Sequence, residues 1–247
     1  MQSRDAKSQS QNDLNQFSAI EELFGSDPIA LIEKIEAFPK YVTRQSIAKF
    51  ITKYEIFKKI LYVNGSIVEC GVLYGAGLMA WAKLSSIFEP VNHTRKIIGF
   101  DTFQGFPGLS EKDGGSSNLL KTGGMMGDYE SVQEAINAFD LNRAVSHIPK
   151  VVLVKGDICE TAQKYVADNP YLVVSLLYLD CDIYEPTKKA IEVFMPRMPK
   201  GAVIVFDELN AGIFHGETRA VDETIGLQNL RIERFDFDSY VSYAVLQ

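Results

Sequence analysis

Tyr171-Leu172-Val173-Val174-Ser175-Leu176-Leu177-Tyr178-Leu179 runs straight into Asp180-Cys181-Asp182, and this stretch decides the fold. Its apolar residues hardly alternate with polar ones, so a strand over 171–179 has no face suited to water. Such a strand belongs at the centre of a parallel sheet with helices on both sides. The polar residues after it mark its carboxyl end. Just beyond, Pro186 suits the first turn of a helix over 185–198, with Ile191, Phe194, Met195 and Met198 on one face.

The alternation of strand and helix recurs on either side. Upstream, 66–70 and 96–101 read as strands around a helix at 76–88, and 151–155 as a third strand. A long polar, glycine-rich loop spans 104–127, and helices are predicted at 131–139 and 161–167. Downstream come a strand at 201–206, a helix at 217–225, and two last strands at 231–235 and 240–246. The gap between those two, 236–239, is too short for a parallel crossover and predicts an antiparallel hairpin. The predicted fold class is therefore α/β: a doubly wound, mostly parallel seven-stranded sheet ending in an antiparallel hairpin. That Rossmann-like arrangement is the one found in class I methyltransferases, here with extra N-terminal helices.

Residues 1–16 are rich in Gln, Ser, Asn and Asp and read as a disordered tail. Residues 17–64 read as a helical lid or interface region. Within it, a helix over 28–38 has Asp27 as N-cap and Pro28 at its first position. A second helix carries Ile47, Phe50, Ile51, Tyr54, Phe57 and Leu61 as an apolar stripe. Residues 65–247 form the ligand-binding domain.

A length of 247 residues with 46% hydrophobic and 23% charged residues is ordinary for a globular chain with a full core. The net charge of -7 argues against nucleic acid as a partner, because phosphate binding needs a basic face. No apolar stretch is long enough to span a bilayer, and the polar start is unlike a signal peptide, so no membrane partner and a cytoplasmic location are expected. Cys70, Cys159 and Cys181 sit in or beside apolar runs and read as reduced core residues.

In a doubly wound sheet the ligand lies beyond the carboxyl ends of the strands, where the strand order reverses. After the first strand comes Glu69-Cys70-Gly71-Val72-Leu73-Tyr74-Gly75-Ala76-Gly77. Gly71, Gly75 and Gly77 let the backbone turn sharply and approach a ligand; the alternative is tight strand-to-helix packing. After the second comes Asp101-Thr102-Phe103, whose acid can accept hydrogen bonds from both ribose hydroxyls, or else cap a helix. Gly156-Asp157 after the third is placed to meet an adenine, and Asp157 could equally be a helix cap.

The fourth and fifth strands end in Asp180-Cys181-Asp182 and Asp207-Glu208. Neighbouring parallel strands would crowd these four carboxylates together, and unpaired like charges repel. A hard divalent cation such as Mg²⁺ resolves the conflict; the alternative is capping, or pairing with Lys188, Arg197 or Arg219. His93 and His147 lie in polar loops, while His215 follows the fifth strand and is a candidate for substrate contact.

Taken in order, these stretches resemble the macrocin O-methyltransferase family, which methylates sugar hydroxyls of macrolide, aminocoumarin and related natural products. The resemblance rests on Ile67-Val68-Glu69-Cys70-Gly71-Val72, Asp101-Thr102-Phe103-Gln104-Gly105-Phe106-Pro107, Leu179-Asp180-Cys181-Asp182-Ile183-Tyr184-Glu185-Pro186-Thr187, and Gly201-Ala202-Val203-Ile204-Val205-Phe206-Asp207-Glu208. It implies S-adenosylmethionine as cofactor, held by Glu69, Gly71 and Asp101, and a metal on Asp180, Asp207 and Glu208. It implies that Asp182 is the general base, that the acceptor is a small sugar-bearing molecule, and that the protein is a homo-oligomer. Two features depart from the family: Asp207-Glu208-Leu209-Asn210 stands where two aspartates and a tyrosine are usual, and Phe214-His215-Gly216-Glu217 differs as well. Two other readings stand beside it: a metal-dependent catechol or phenol methyltransferase, and a protein that binds S-adenosylmethionine or a nucleotide without turnover. The crowd of carboxylates argues against the last.

Overall fold

The computed structural model describes residues 10–114 and 120–247. Residues 1–9 of the expected tail and 115–119 of the long loop lie outside the described residues. Helices α1 (Gln11–Ser26), α2 (Leu31–Glu36) and α3 (Arg44–Ile60) precede the sheet. Then follow β1 (Ser66–Cys70), α4 (Ala76–Phe88), β2 (Ile97–Asp101), α5 (Tyr129–Asp140), β3 (Val151–Lys155), α6 (Ile158–Asp168), β4 (Val174–Leu179) and α7 (Tyr184–Phe194). The chain closes with β5 (Val203–Phe206), α8 (Gly216–Thr224), β6 (Glu233–Arg234) and β7 (Ser242–Val245).

The strands form one seven-stranded sheet in the order β3-β2-β1-β4-β5-β7-β6. Strands β1 to β5 pair in parallel, and β7 runs antiparallel between β5 and β6. Side chains alternate across it as the pleat requires. Ile67, Leu176, Tyr178 and Val205 pack with Phe57, Trp81 and Ile136 on one face. Val68, Leu177, Leu179 and Phe206 pack with Ile158, Ile191, Phe194 and Val221 on the other. Every residue of β4 is buried, Ser175 included, as its lack of polar alternation predicts. Each such leucine contributes about 1.5–3 kcal/mol by leaving water. The strand order reverses between β1 and β4, which puts the ligand crevice at their carboxyl ends.

Several expectations need correction. Helix α1 begins at Gln11, inside the segment read as a tail, because Ser10 and Asp13 form a reciprocal capping box there. Asp27 does not cap the next helix: its carboxylate takes Lys40 and the Tyr41 hydroxyl, and α2 starts only at Leu31. The buried face of α3 is Thr52, Lys53, Ile56, Phe57 and Ile60, rotated from the expected stripe, so Phe50 and Ile51 are exposed. Residues 171–173 turn out of α6 instead of extending β4, held by the Leu172 N–H on the Asn169 carbonyl. The hairpin is confirmed with shorter strands. Buried Asp238 draws the connection into a turn by accepting from the N–H groups of Tyr240 and Val241 and the Thr52 hydroxyl. All three cysteines are free, but only Cys70 is fully buried.

Candidate active site

Gly71 leaves β1 with φ +98°, and a Cβ there would sit 1.9 Å from the Asp180 carbonyl oxygen. Only glycine permits this approach of the β1 and β4 ends, which the Asp180 N–H seals on the Cys70 carbonyl at 2.8 Å. At the end of β2, Asp101 Oδ2 accepts the N–H groups of Val72 and Leu73 at 2.7 and 2.8 Å, and Oδ1 that of Phe103 at 2.6 Å. Asp101 thus shapes the glycine loop directly, a role its position alone did not predict.

Beyond these strand ends opens a cleft that is continuous with solvent. Gly71, Asp101, Thr102, Gly156, Asp157, Asp180 and Asp182 line it, together with Phe106, Pro107 and Met125 from the long loop. Asp157 lines the cleft and also caps α6 through the Cys159 N–H at 2.9 Å. Glu69, Gly75, Gly77 and Phe103 are not in the wall. Gly75 starts α4 in the left-handed region, and Phe103 is buried edge-on against Tyr129. Gly77 makes room for the Glu69 carboxylate, which a Cβ there would meet at 2.0 Å. Glu69 is buried outside the cleft wall, and burial pushes its pKa up to about 8. The Lys53 charge opposes that shift, and the Asp180 and Asp207 charges add to it. Among the described residues Glu69 Oε2 has no hydrogen-bond partner.

Asp207 and Glu208 follow β5 and are almost wholly buried. The Tyr178 hydroxyl donates to Asp207 Oδ1, and Lys49 Nζ from α3 lies 3.2 Å from Oδ2. Lys53, one turn further, reaches the Tyr178 hydroxyl at 3.2 Å. Glu217 of α8 accepts the Glu208 N–H at 3.0 Å and is fully buried. Burial first, then the Asp207, Glu208 and Asp180 charges, hold its carboxyl well above the usual range, against the pull of the Glu208 N–H. Sequence reasoning missed Lys49, Lys53, Tyr178 and Glu217. No local pattern marked them, because the expected apolar stripe of α3 left position 53 off its inward face. Of the cations weighed as alternatives, Lys188 approaches Glu192 and Arg197 bonds the Pro170 carbonyl.

Hard carboxylate donors in excess of local positive charge fit a dication such as Mg²⁺ in kind and in charge. Among the described residues no three acidic, histidine or cysteine side chains stand close enough to hold an ion in this arrangement.

Asp182 is buried at φ +61°, in a three-residue turn closed by the Ile183 N–H on the Cys181 carbonyl at 2.7 Å. A γ-turn of that hand is rare and strained. The alternative that Asp182 caps α7 is not what the first amide of that helix shows: the Tyr184 N–H goes to Asp113. His215 is exposed just before α8, outside the cleft wall, with its N–H on the Gly114 carbonyl at 3.0 Å.

A glycine loop bent by an acid at the end of β2, a cleft at the reversal of strand order and a terminal antiparallel hairpin define a class I S-adenosylmethionine-dependent methyltransferase. The chain belongs to the macrocin-O-methyltransferase (TylF) family, whose model matches residues 53–243, and it is an O-methyltransferase. Among solved structures it is similar to CalS11, a calicheamicin methyltransferase, with 29% identity, 96% of this chain and 93% of that chain covered, and a TM-score of 0.92. The apo form of CalS11, described as a TDP-rhamnose 3'-O-methyltransferase of calicheamicin biosynthesis, matches at 29% identity over 96% and 95% of the two chains with a TM-score of 0.84. The O-methyltransferase NovP shares the fold at 19% identity, with 81% and 80% covered and a TM-score of 0.65. No curated protein matches the chain in sequence. Among the described residues no helix is long and apolar enough to cross a membrane.

Proposed function

We propose that the chain methylates a hydroxyl of a sugar, carried by a nucleotide or a glycosylated natural product, with the help of Mg²⁺ or a similar dication. The observation that carries this is the end of β4, where Asp180 and Asp182 enter the same cleft as Gly71 and Asp101. The similarity to CalS11, a TDP-rhamnose 3'-O-methyltransferase, supports a nucleotide sugar as the acceptor.

S-Adenosylmethionine, when bound, supplies an electrophilic methyl group. The backbone at Gly71 and Gly156, with Asp101 and Asp157, holds the nucleoside in the cleft. Phe106, Pro107 and Met125 keep water from it. Asp182 accepts the acceptor's proton as the oxygen–carbon bond forms and the carbon–sulfur bond breaks. Asp180, Asp207 and Glu208 would hold the dication, which would lower the pKa of the hydroxyl. His215, at the start of α8 outside the cleft wall, would touch the far part of the acceptor. A second copy of the chain covers the apolar side chains exposed on the N-terminal helices, Leu31, Ile32 and Ile35 among them.

The test is methyl transfer to a panel of nucleotide sugars and catechols, in EDTA and after Mg²⁺ is restored. Metal-dependent turnover of a nucleotide sugar is expected. Turnover of catechols alone, or full activity in EDTA, would overturn the acceptor or the metal assignment respectively. Light scattering on the purified chain reads the oligomeric state, and a monomer would refute the second copy.

A further inference from the structure

We propose that Asp113, in the loop between β2 and α5, is a positioning residue that holds the strained turn carrying Asp182. This rests on the reading of Asp182 as the base. Asp113 is nearly fully buried although its loop is polar. Its carboxylate is divided between two tasks. Oδ2 accepts the N–H and the hydroxyl of Ser110 at 2.7 and 2.9 Å, which fixes the carboxylate in the loop. Oδ1 accepts the Tyr184 N–H at 2.5 Å. Tyr184 opens α7, whose own N-cap residue Ile183 gives no side-chain hydrogen bond. Asp113 therefore supplies from another segment the carboxylate that a helix N-terminus favours.

The bonded amide lies two residues beyond Asp182, at the exit of its turn. A positive-φ conformation persists only where the surroundings over-determine it. Here Asp113 holds the exit at Tyr184, and the Thr187 hydroxyl holds the Ile183 carbonyl at 2.7 Å. Packing closes the arrangement from the α8 side. A Cβ on Gly216 would lie 2.3 Å from Asp113 Oδ1 and 2.4 Å from the Tyr184 nitrogen, so α8 presses on the bond itself. The neighbours of Asp113 add to the attachment. Lys112 Nζ reaches the Tyr184 hydroxyl at 2.9 Å and Glu223 at 2.5 Å, and the Gly114 carbonyl accepts the His215 N–H. The Lys112 pair is nearly half-exposed and contributes little. The buried bond of Asp113 is the anchor. The loop that lends Phe106 and Pro107 to the cofactor cleft thus also fixes the base.

The experiment measures kcat, KM and S-adenosylhomocysteine affinity for Asp113→Ala and Asp113→Asn, each alone and combined with Asp182→Asn. Asp113→Ala is expected to lower kcat about 10- to 100-fold, the scale of a misplaced catalytic group, with cofactor affinity and KM unchanged. Asp113→Asn, which keeps one acceptor oxygen for the Tyr184 N–H, is expected to retain more of the rate. In the Asp182→Asn background Asp113→Ala is expected to cause no further loss, because it acts through that side chain. A normal kcat in Asp113→Ala, or a loss that multiplies fully with that of Asp182→Asn, overturns the proposal while leaving the base in place. A normal rate in Asp182→Asn overturns the base reading and the proposal with it. If Asp113→Ala does not fold, Asp113→Asn carries the same cycle, and full additivity there is the overturning result.

Discussion

Lys49 Nζ lies 3.2 Å from Asp207 Oδ2 and joins the N-terminal helices to the end of β5. Asp207 is buried, while the lysine is 45% exposed and reaches in from the surface on its flexible stem. A cation held by Asp180, Asp207 and Glu208 has to share Asp207 with that ammonium. Lys49→Met is therefore expected to bind Mg²⁺ about 5- to 10-fold more tightly, if the pair contributes about 1 kcal/mol as half-exposed pairs do. Calorimetric titration of the EDTA-treated proteins checks this. Equal affinities would show that Lys49 and the ion do not compete.

Glu69 makes stability depend on pH. Burial raises its pKa from 4.5 to about 8, so the folded chain keeps a proton that the unfolded chain releases across that window. The stabilisation is complete below about pH 4.5 and is lost as pH rises through about 8. Glu69→Gln keeps the shape and cannot ionise. Its melting temperature, relative to the natural chain, is expected to climb between pH 5 and about 8.5. Parallel curves for the two proteins would rule out a protonated Glu69.

The sheet could be read from sequence because its signals are local. An apolar run interrupted by Ser175 alone marks β4, and a gap of a few residues forces the hairpin. Glycine at 71 and the acids at 101, 180 and 182 were found from their place after a strand, and all four line the cleft. What stayed hidden depends on contacts between distant segments. The Lys49–Asp207 pair spans 158 positions, and no periodicity encodes which face of α3 turns inward. Glu217 looked like an ordinary helix start; only the return of α8 to the end of β5 buries it against Glu208. Asp113 lay in a loop with no pattern at all, and its role emerges only where α7 and α8 meet.

Asp101 is expected to serve the cofactor twice. A carboxylate has about four acceptor positions, and three backbone N–H groups occupy part of them. About one remains for a ribose hydroxyl in the cleft. Asp101→Ala should weaken S-adenosylhomocysteine by about 1.5–3 kcal/mol, the range for hydrogen bonds to a charged group. The bonds to Val72 and Leu73 suggest an added entropic loss from a loosened loop. Calorimetry on the folded variant reads the loss, and unchanged affinity would remove Asp101 from the cofactor site.

Asp182→Asn separates chemistry from structure unusually well at this position. The residue sits at φ +61°, and asparagine tolerates the left-handed region as aspartate does. The strained turn therefore survives the change, whereas alanine would add backbone strain and blur the result. The cap on α7 survives too, since the Tyr184 N–H is held by Asp113. What asparagine removes is the ability to take a proton. Cofactor affinity and melting temperature are expected to stay near those of the natural chain, while kcat falls about 10²- to 10⁴-fold, the range for losing a positioned base. Asp180→Asn should behave differently, weakening Mg²⁺ binding and recovering in part at high metal concentration. A capping role for Asp182 would give the opposite signature, a loss of roughly 1 kcal/mol in stability with the chemical step intact. An Asp182→Asn enzyme that melts early and methylates at the normal rate would therefore transfer Asp182 from the chemistry to the scaffold.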